Sequence, residues 1–346
     1  MRSVQSSLWL LAFGSETGLG VRQPTENVPQ QVNRDPYRSR VRRRAPSFFG
    51  LTALLCIPLL FAAPLAWKRA QEQQAAIRTR RASWERMVAE LKREIRAFPG
   101  QSGIVVEDLS TGWRFTHQPD RRFAAASIIK VPVMGAAFTA EKAGRLKLDE
   151  QVTLRGADQT NGSGILKAEK PGAVFPVSRL LELMISQSDN TATNILLSKI
   201  GMEYANKQFG SLGLRNTTLR RKMMDFSQRD KGVENYTTAS DMAEILKRLY
   251  RGKVVNPRYS EQGLDWMRHQ KLNDRIPAKL PKGTVVAHKT GLERSVCHDV
   301  GIVYTDGGDL LICVLTRHKG LSGPAKRYIA SLSRHAYDYL PGDARP

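Results

Sequence analysis

The longest apolar run of the chain lies near its beginning. Residues 45–67 carry no charge, and five arginines between Arg38 and Arg44 precede them. About 20 consecutive apolar residues cross a bilayer as a helix, and flanking basic residues hold their side in the cytoplasm. The pattern predicts a membrane anchor over residues 45–67, a disordered basic cytoplasmic tail over residues 1–44 and an extracytoplasmic remainder. A cleaved signal peptide, which would leave a secreted domain, is the alternative.

A helical pattern follows the predicted anchor. From residue 68 to residue 98, apolar side chains recur mostly every three or four positions between charged ones: Ala75, Ile77, Trp84, Met87, Val88, Leu91 and Ile95. This spacing predicts an amphipathic helix, which Pro99 and Gly100 end. We expect its beginning to act as a spacer above the membrane. Its end, from about Ser83, should pack on a domain that comprises residues 99–346.

The hydrophobic period then changes several times. The predicted elements are strands over 103–109 and 113–115, helices over 127–273, strands over 296–304 and 310–316, and a closing helix over 324–339. Strands at both ends with helices between them indicate an α+β fold. We predict an α/β sandwich, in which an antiparallel sheet is flanked by helices and carries an inserted all-helical lobe.

Composition and charge exclude several classes of protein. Apolar residues make up 41% of the 346 residues, which excludes wholesale disorder. The net charge is +22, but no nucleic-acid-binding motif accompanies it, so we predict a basic surface near anionic lipid or cell wall and no nucleic-acid partner. The three cysteines show no zinc-ligand spacing, and Cys297 and Cys313 do not fall opposite each other about their turn. We therefore predict no disulfide, no metal and no cofactor, and we make no prediction of oligomeric state.

The first motif that carries chemistry is Ser127 followed by Lys130, where an apolar helical stretch begins. Residues three apart share one face of a helix, so the lysine amine can lie beside the serine hydroxyl. A neutral amine can remove the hydroxyl proton and make the serine a nucleophile. Taken alone, the pair is a weak signal, and a capping serine with a solvated lysine is the alternative.

The second motif is Ser188, Asp189 and Asn190, after an apolar run. The hydroxyl could relay a proton to a leaving nitrogen, and the amide could bind a substrate carbonyl. The carboxylate between them could hold the loop through backbone hydrogen bonds. A helix-capping turn without catalytic function is the alternative.

The third motif is Lys289, Thr290 and Gly291, which follow His288 at the end of a predicted strand over residues 283–287. A lysine and a hydroxyl on one strand can hold a substrate carboxylate. The glycine lets a substrate approach the strand backbone closely. A strand that ends in a turn glycine is the alternative.

Together and in this order, the three motifs resemble the signature of class A β-lactamases and penicillin-binding proteins. The separations of 61 residues from Ser127 to Ser188 and 101 residues from Ser188 to Lys289 also resemble class A. The resemblance extends over about residues 83–340. It implies a serine hydrolase of β-lactams or related amides, with its active site between the sheet and the helical lobe.

The resemblance also implies a role for each matching residue. Ser127 would be acylated, Lys130 would act as base or proton shuttle, and Ser188 would pass a proton to the leaving nitrogen. Asn190 would bind the acyl side chain of the substrate. Lys289 and Thr290, beside Gly291, would hold its carboxylate. The backbone N–H groups of Ser127 and Leu292 would donate hydrogen bonds to the oxyanion.

One departure from class A concerns release of the acyl group. Class A enzymes carry the motif R-x-E-x-x-L-N, whose glutamate activates the deacylating water. The matching stretch keeps Arg221 but has Met223 in place of the glutamate and Ser227 in place of the asparagine. A methionine cannot act as a general base, so we expect acylation followed by slow release. Asp225, two residues further on, could be a loop cap or a displaced base.

Two other functions remain open from the sequence. One is a cell-wall peptidase of the D-Ala-D-Ala type, or a penicillin-binding protein that stays acylated. The other is a non-catalytic module that binds the cell wall. The intact Ser127, Lys130, Ser188 and Lys289 argue against the module.

Overall fold

The computed structural model describes residues 51–340, with side chains from residue 66 onward. The chain divides into two compact units, Met1–Pro64 and Leu65–Pro346. Apart from the beginning of the first helix, the architecture that follows is that of the second unit.

The first helix, α1, runs over Leu51–Ala97 and ends just before Pro99 and Gly100. It contains the helix predicted over residues 68–98. Side chains of residues 66–79 are exposed, whereas Trp84, Met87 and Leu91 are buried. The end of this helix therefore packs on the domain, as the spacing of its apolar residues indicates.

A five-stranded sheet forms the centre of the domain. Its strands are β1 (Gln101–Asp108), β2 (Arg114–His117), β7 (Val286–Glu293), β8 (Val296–Val303) and β9 (Leu310–Arg317). They lie in the order β2-β1-β9-β8-β7, and every neighbouring pair is antiparallel. The register places Cys313 opposite Val300 and Cys297 opposite Thr316. Both cysteines are free and buried, as expected.

Alternation along the strands creates two hydrophobic cores, because successive side chains point to opposite faces of a sheet. Ile104 and Val106 pack with α1 and with the closing helix α9 (Gly323–Tyr339). Val105, between them, belongs to the core on the other face, which the helical lobe covers. The sheet is thus enclosed on both faces.

The polypeptide between β2 and β7 forms the helical lobe. Its helices are α2 (Lys130–Lys142), α3 (Val177–Ser186), α4 (Asn190–Ile200), α5 (Met202–Ser211), α6 (Phe226–Asp230), α7 (Ala239–Tyr250) and α8 (Pro257–Arg268). Two small sheets accompany them and pair β3 (Phe123–Ala124) with β6 (Tyr236–Thr237) and β4 (Gln151–Thr153) with β5 (Val174–Pro176). The predicted α+β class, with an antiparallel sheet and an inserted helical lobe, is confirmed.

One strand differs from its prediction. The pattern predicted a strand over residues 283–287, which would end before His288, but β7 begins at Val286 and continues to Glu293. The third motif therefore lies inside the strand. Residues 286–291 are all buried because β7 pairs with β8 along its whole length. The hydrophobic pattern could not predict this burial, because the motif residues are polar.

The predicted anchor falls largely outside these observations. Residues 45–50 lie outside the described residues, as do the side chains of residues 51–65 and the whole of the predicted tail. Within residues 51–340, no helix has both the length and the apolar composition that a membrane crossing requires. The anchor stays a prediction from the sequence.

Candidate active site

Ser127 lies in a 3₁₀ turn over Ala126–Ile129, immediately before α2. The sequence predicted it at the start of the helix itself, and the structure corrects this by one turn. Ala126 has φ +43°, a value rarely adopted by non-glycine residues. This turn leaves the serine partly exposed while the residues around it are buried.

The turn is held from behind by β8. The ring of His298 is buried and its Nδ1 accepts a hydrogen bond from the backbone N–H of Thr316 at 3.1 Å. Its Nε2 therefore carries the proton and donates to the carbonyl oxygen of Ala124 at 2.8 Å. Burial lowers the pKa of His298 to about 4, so the ring is neutral at pH 7. It fixes the chain just before the serine.

Lys130 joins the first two motifs. Its Nζ lies 3.2 Å from Ser127 Oγ, 2.7 Å from the carbonyl oxygen of Ser188 and 2.8 Å from Asn190 Oδ1. The side chain is completely buried. Burial lowers the pKa of Lys130 to about 7, against the opposing effect of the Asp189 charge. A substantial fraction of the amine is therefore neutral at neutral pH and can accept a proton.

Ser188 lies between two lysine amines. Its Oγ is 3.2 Å from Lys130 Nζ and 2.9 Å from Lys289 Nζ. Its φ of +56° belongs to the left-handed region, where a serine is strained by about 1–3 kcal/mol. This backbone conformation turns the hydroxyl between the amines, so that it can pass a proton across the site.

Asp189 organises the loop that carries the second motif. Its carboxylate accepts hydrogen bonds from the backbone N–H groups of Ile165 at 2.7 Å, Leu166 at 2.9 Å and Ala192 at 2.9 Å. The last of these caps α4. Gly164 packs against this carboxylate so closely that a Cβ there would lie 2.2 Å from Asp189 Cγ. The loop-holding function suggested by the sequence is thus the geometry observed.

Replacing Asp189 with alanine should destabilise the domain by about 3 kcal/mol, because three charge-assisted hydrogen bonds are lost and their buried donors stay unsatisfied. Asp225→Ala is a matched control, since that carboxylate accepts one cap bond, from Gln228 N at 3.1 Å, worth about 1 kcal/mol. Urea denaturation measures both free energies of unfolding. Equal losses in the two variants would contradict this explanation.

The third motif borders the site from the sheet. Lys289 is fully buried, and its Nζ donates to Ser188 Oγ and to the carbonyl oxygen of Thr290 at 2.9 Å. Burial, reinforced by the charge of Lys130, lowers the pKa of Lys289 well below its usual value. Thr290 is also buried, whereas Leu292 is 45% exposed. A Cβ at Gly291 would lie 3.2 Å from Ile128 Cγ2, so this glycine allows the strand to approach the serine turn.

Sequence reasoning missed one buried basic residue whose charge acts on the site. Arg275 is 2% exposed and donates from Nε to Cys297 Sγ at 3.2 Å. Its charge is one of the smaller causes that lower the pKa of Lys289. No motif surrounds Arg275 in the sequence. Only the folded chain brings it near the third motif.

A cleft of about 330 Å³ opens over these groups. Its lining includes Ser127, Asn190 and Leu292, while Lys130, Ser188 and Lys289 are buried and absent from the lining. The structure thus brings the catalytic candidates of all three motifs together and exposes Ser127 alone among the four. A substrate in the cleft would meet this hydroxyl first.

The loop over residues 221–227 forms one wall of the cleft. Met223 lines it, and its backbone is held by Asn194, whose Oδ1 accepts from Met223 N at 2.8 Å and whose Nδ2 donates to Met223 O at 3.1 Å. Asp225 caps α6, the interpretation that the sequence offered beside a displaced base. Ser227 is exposed in that short helix.

The carboxylates near this loop are paired. Glu293 is the one acid among the described residues that line the cleft, and it lies 3.2 Å from the Arg221 guanidinium. Glu234 is 2.7 Å from the same guanidinium. Within residues 66–340, therefore, no unpaired carboxylate lines the cleft where a deacylating water would need a base.

Comparison with known proteins agrees with this geometry. The family model of the β-lactamase enzyme family matches residues 86–340. The chain is 29% identical to a β-lactamase of Rhodobacter capsulatus over 211 residues, which are 60% of this chain and 71% of that protein. It resembles the crystal structure of a β-lactamase from Sphaerobacter thermophilus with a TM-score of 0.67 and 32% identity, over 72% of this chain and 95% of that chain.

A second solved structure, that of PBP-A, matches with a TM-score of 0.68 and 30% identity, over 73% of this chain and 95% of that chain. A mutant of PBP-A has been solved as an acyl-enzyme complex with penicillin G. The motifs, the antiparallel sheet with its helical lobe, and these matches agree. The chain belongs to the β-lactamase enzyme family and is a β-lactamase-like serine hydrolase.

Proposed function

We propose that β-lactams acylate Ser127 and that the acyl-enzyme is released slowly. The observation that carries the proposal is the combination of an activated serine and a cleft wall without a base. Ser127 Oγ lies 3.2 Å from the amine of Lys130. Met223, which stands in the sequence where the class A motif has its glutamate, lines the cleft wall. The first feature favours acylation, and the second disfavours hydrolysis of the ester.

In the acylation step, neutral Lys130 takes the Ser127 proton as Oγ attacks the lactam carbonyl carbon. The new C–O bond forms, and the amide C–N bond breaks. Ser188, in contact with both amines, gives its proton to the leaving nitrogen and regains one from Lys130. The backbone N–H groups of Ser127 and Leu292 are the proposed donors to the oxyanion.

The basic groups of the site suit the carboxylate of a penicillin. Lys130 and Lys289 share the hydroxyl of Ser188, and Arg275 adds a third basic group nearby. Close positive charges disfavour each other's protonated forms, so an incoming carboxylate would stabilise a protonated Lys289. This supports the assignment of Lys289 and Thr290 to the substrate carboxylate.

Burst kinetics with a chromogenic cephalosporin test the proposal. We expect one equivalent of cephalosporin to open rapidly for each equivalent of protein, followed by a much slower steady state, because the acyl-enzyme accumulates. Rapid linear turnover without a burst would support an efficient β-lactamase instead. No ring opening would support a non-catalytic module. Either result overturns the proposal.

The burst rate should rise with pH. Only the neutral amine of Lys130 can accept the serine proton, and with a pKa of about 7 its neutral fraction grows about tenfold between pH 6 and pH 8. Stopped-flow measurement of the burst rate across this range tests the expectation. A burst rate that falls or stays constant over the range would exclude Lys130 as the base.

A penicillin-binding protein of the cell wall is the second candidate function. The 30% identity to PBP-A over 73% of this chain supports it, as does the absence of a carboxylate at Met223. Both candidates share the acylation step. They differ in whether a cell-wall peptide or a β-lactam is the physiological acyl donor.

A further inference from the structure

We infer that the cleft prefers substrates whose acyl side chain ends in a carboxylate. This inference rests on the proposed acylation of Ser127 and adds a substrate class to it. Two arginines line the cleft, Arg229 on α6 and Arg294 beyond Leu292 at the end of β7. They stand on the loop wall and on the strand wall, so the cleft has a basic group on each side.

We assign these two arginines to the acyl side chain of the substrate rather than to its ring carboxylate. Lys289 and Thr290, the proposed partners of the ring carboxylate, are buried and absent from its lining. Arg229 shares its wall with Met223, and Asn190, the proposed partner of the acyl amide, also lines the cleft. A side chain that extends past Asn190 would therefore enter a cleft that both Arg229 and Arg294 line.

The charge of this region is not neutralised by its acids. Within the described residues, Arg294 has no hydrogen bond or ion pair and is exposed. Arg229 contacts Asp230 at 3.4 Å, but that carboxylate is 73% exposed and weakly held. Glu293, the one acid in the lining, is paired with Arg221.

The apolar residues of the cleft also favour an acyl side chain with an apolar segment before its carboxylate. The guanidinium of Arg229 stacks over the ring of Phe226, with its carbon 4.3 Å from the ring centroid. Phe226 and Leu292 line the cleft and are 40% and 45% exposed. A short methylene chain that ends in a carboxylate could cover these side chains and place its oxygens near both arginines.

Three matched penicillins test this preference on the full chain. They carry a glutaryl side chain, the corresponding terminal amide, or an aminopentanoyl side chain, and so end in a negative, a neutral or a positive group. We expect the second-order rate constant of acylation to fall in this order, with about a fivefold difference between the glutaryl and amide compounds, which two partly exposed ion pairs can supply. High salt should narrow the difference, because it screens exposed charges.

Variants test whether Arg229 and Arg294 cause the preference for a carboxylate. Arg229→Gln combined with Arg294→Gln should bring the ratio of glutaryl to amide rate constants close to one, whereas the corresponding lysine substitutions should keep most of it. Arg251→Gln removes an exposed charge that does not line the cleft, and should leave the ratio unchanged. The amide compound reports in each variant that the site still folds and reacts.

The outcomes separate this inference from the proposed function. If all three penicillins acylate the wild-type chain at equal rates, or if the double glutamine variant keeps the full ratio, the charge preference is wrong while acylation of Ser127 stands. If none of them acylates the chain, the proposed function and the preference both fall.

Discussion

Ser127→Ala is expected to abolish covalent labelling of the chain by penicillin. Among the described residues, Ser127 carries the one proposed catalytic hydroxyl that lines the cleft, and its loss would remove the nucleophile. The fold should survive, because Lys130 keeps its hydrogen bonds to the Ser188 carbonyl oxygen and to Asn190 Oδ1. Intact mass spectrometry after incubation with penicillin G measures the result.

Ser188 is the competing nucleophile, so Ser188→Ala is the informative control. Its hydroxyl contacts two amines, but the residue is 2% exposed and lies below the cleft. We expect Ser188→Ala to slow labelling and to leave the adduct on Ser127, which peptide mapping can locate. Labelling that persists in Ser127→Ala and disappears in Ser188→Ala would show that Ser188, and not Ser127, is the nucleophile.

Met223→Glu is expected to accelerate release of the acyl group by about a hundredfold or more, the usual contribution of a positioned general base. Asn194 holds the backbone of Met223 with two hydrogen bonds, so the new side chain starts from a fixed position on the cleft wall. A carboxylate there could hold a water against the ester carbonyl. Release is measured as loss of the adduct mass with time after free penicillin is removed.

Two controls separate the base from other effects of the substitution. Met223→Gln has the shape of the glutamate variant and no basic carboxylate, and should release slowly. Asp225→Ala should change release little, because that carboxylate caps α6. Equal acceleration by Gln and Glu would attribute the effect to polarity or altered packing, and a trapped adduct in Asp225→Ala would make Asp225 the natural base.

The sequence predicted which side chains lie in the site better than it predicted their backbone conformations. Motif order and spacing predicted Ser127, Lys130, Ser188 and Lys289 as site residues, and the structure brings these four side chains together. The 3₁₀ turn at Ser127 and the left-handed conformation of Ser188 carry no such signal. The turn packs against β7 and β8, and Ser188 is hydrogen-bonded to Lys289 of β7, so both settings involve segments that are distant in the sequence.

Burial explains the other differences between sequence and structure. The pattern predicted a strand that stops before His288, yet β7 continues through Lys289. The polar side chains of the motif can be buried there because they have hydrogen-bond partners inside the protein. Arg275 was missed for the same reason: its isolated position in the sequence resembles that of a surface arginine. A hydrophobic pattern cannot detect polar groups that are buried with partners.

The fold itself was predictable because it depends on repeated patterns. Two apolar runs on either side of a hairpin turn predicted strands over residues 296–304 and 310–316, which the structure places at Val296–Val303 and Leu310–Arg317. Helical spacing predicted α9 with its start displaced by one residue. The order of the strands in the sheet could not be read from these patterns, since β1 lies between β2 and β9, and this pairing joins distant segments.

The most direct test of the central claim follows the mass of the wild-type chain after a brief exposure to penicillin G. Excess penicillin is destroyed at once, and the fraction of chain that carries one added penicillin is then measured with time. We expect nearly stoichiometric addition, located at Ser127, that persists long after the free penicillin is gone. Complete consumption of penicillin by a chain that shows no adduct at any time would contradict slow release from Ser127.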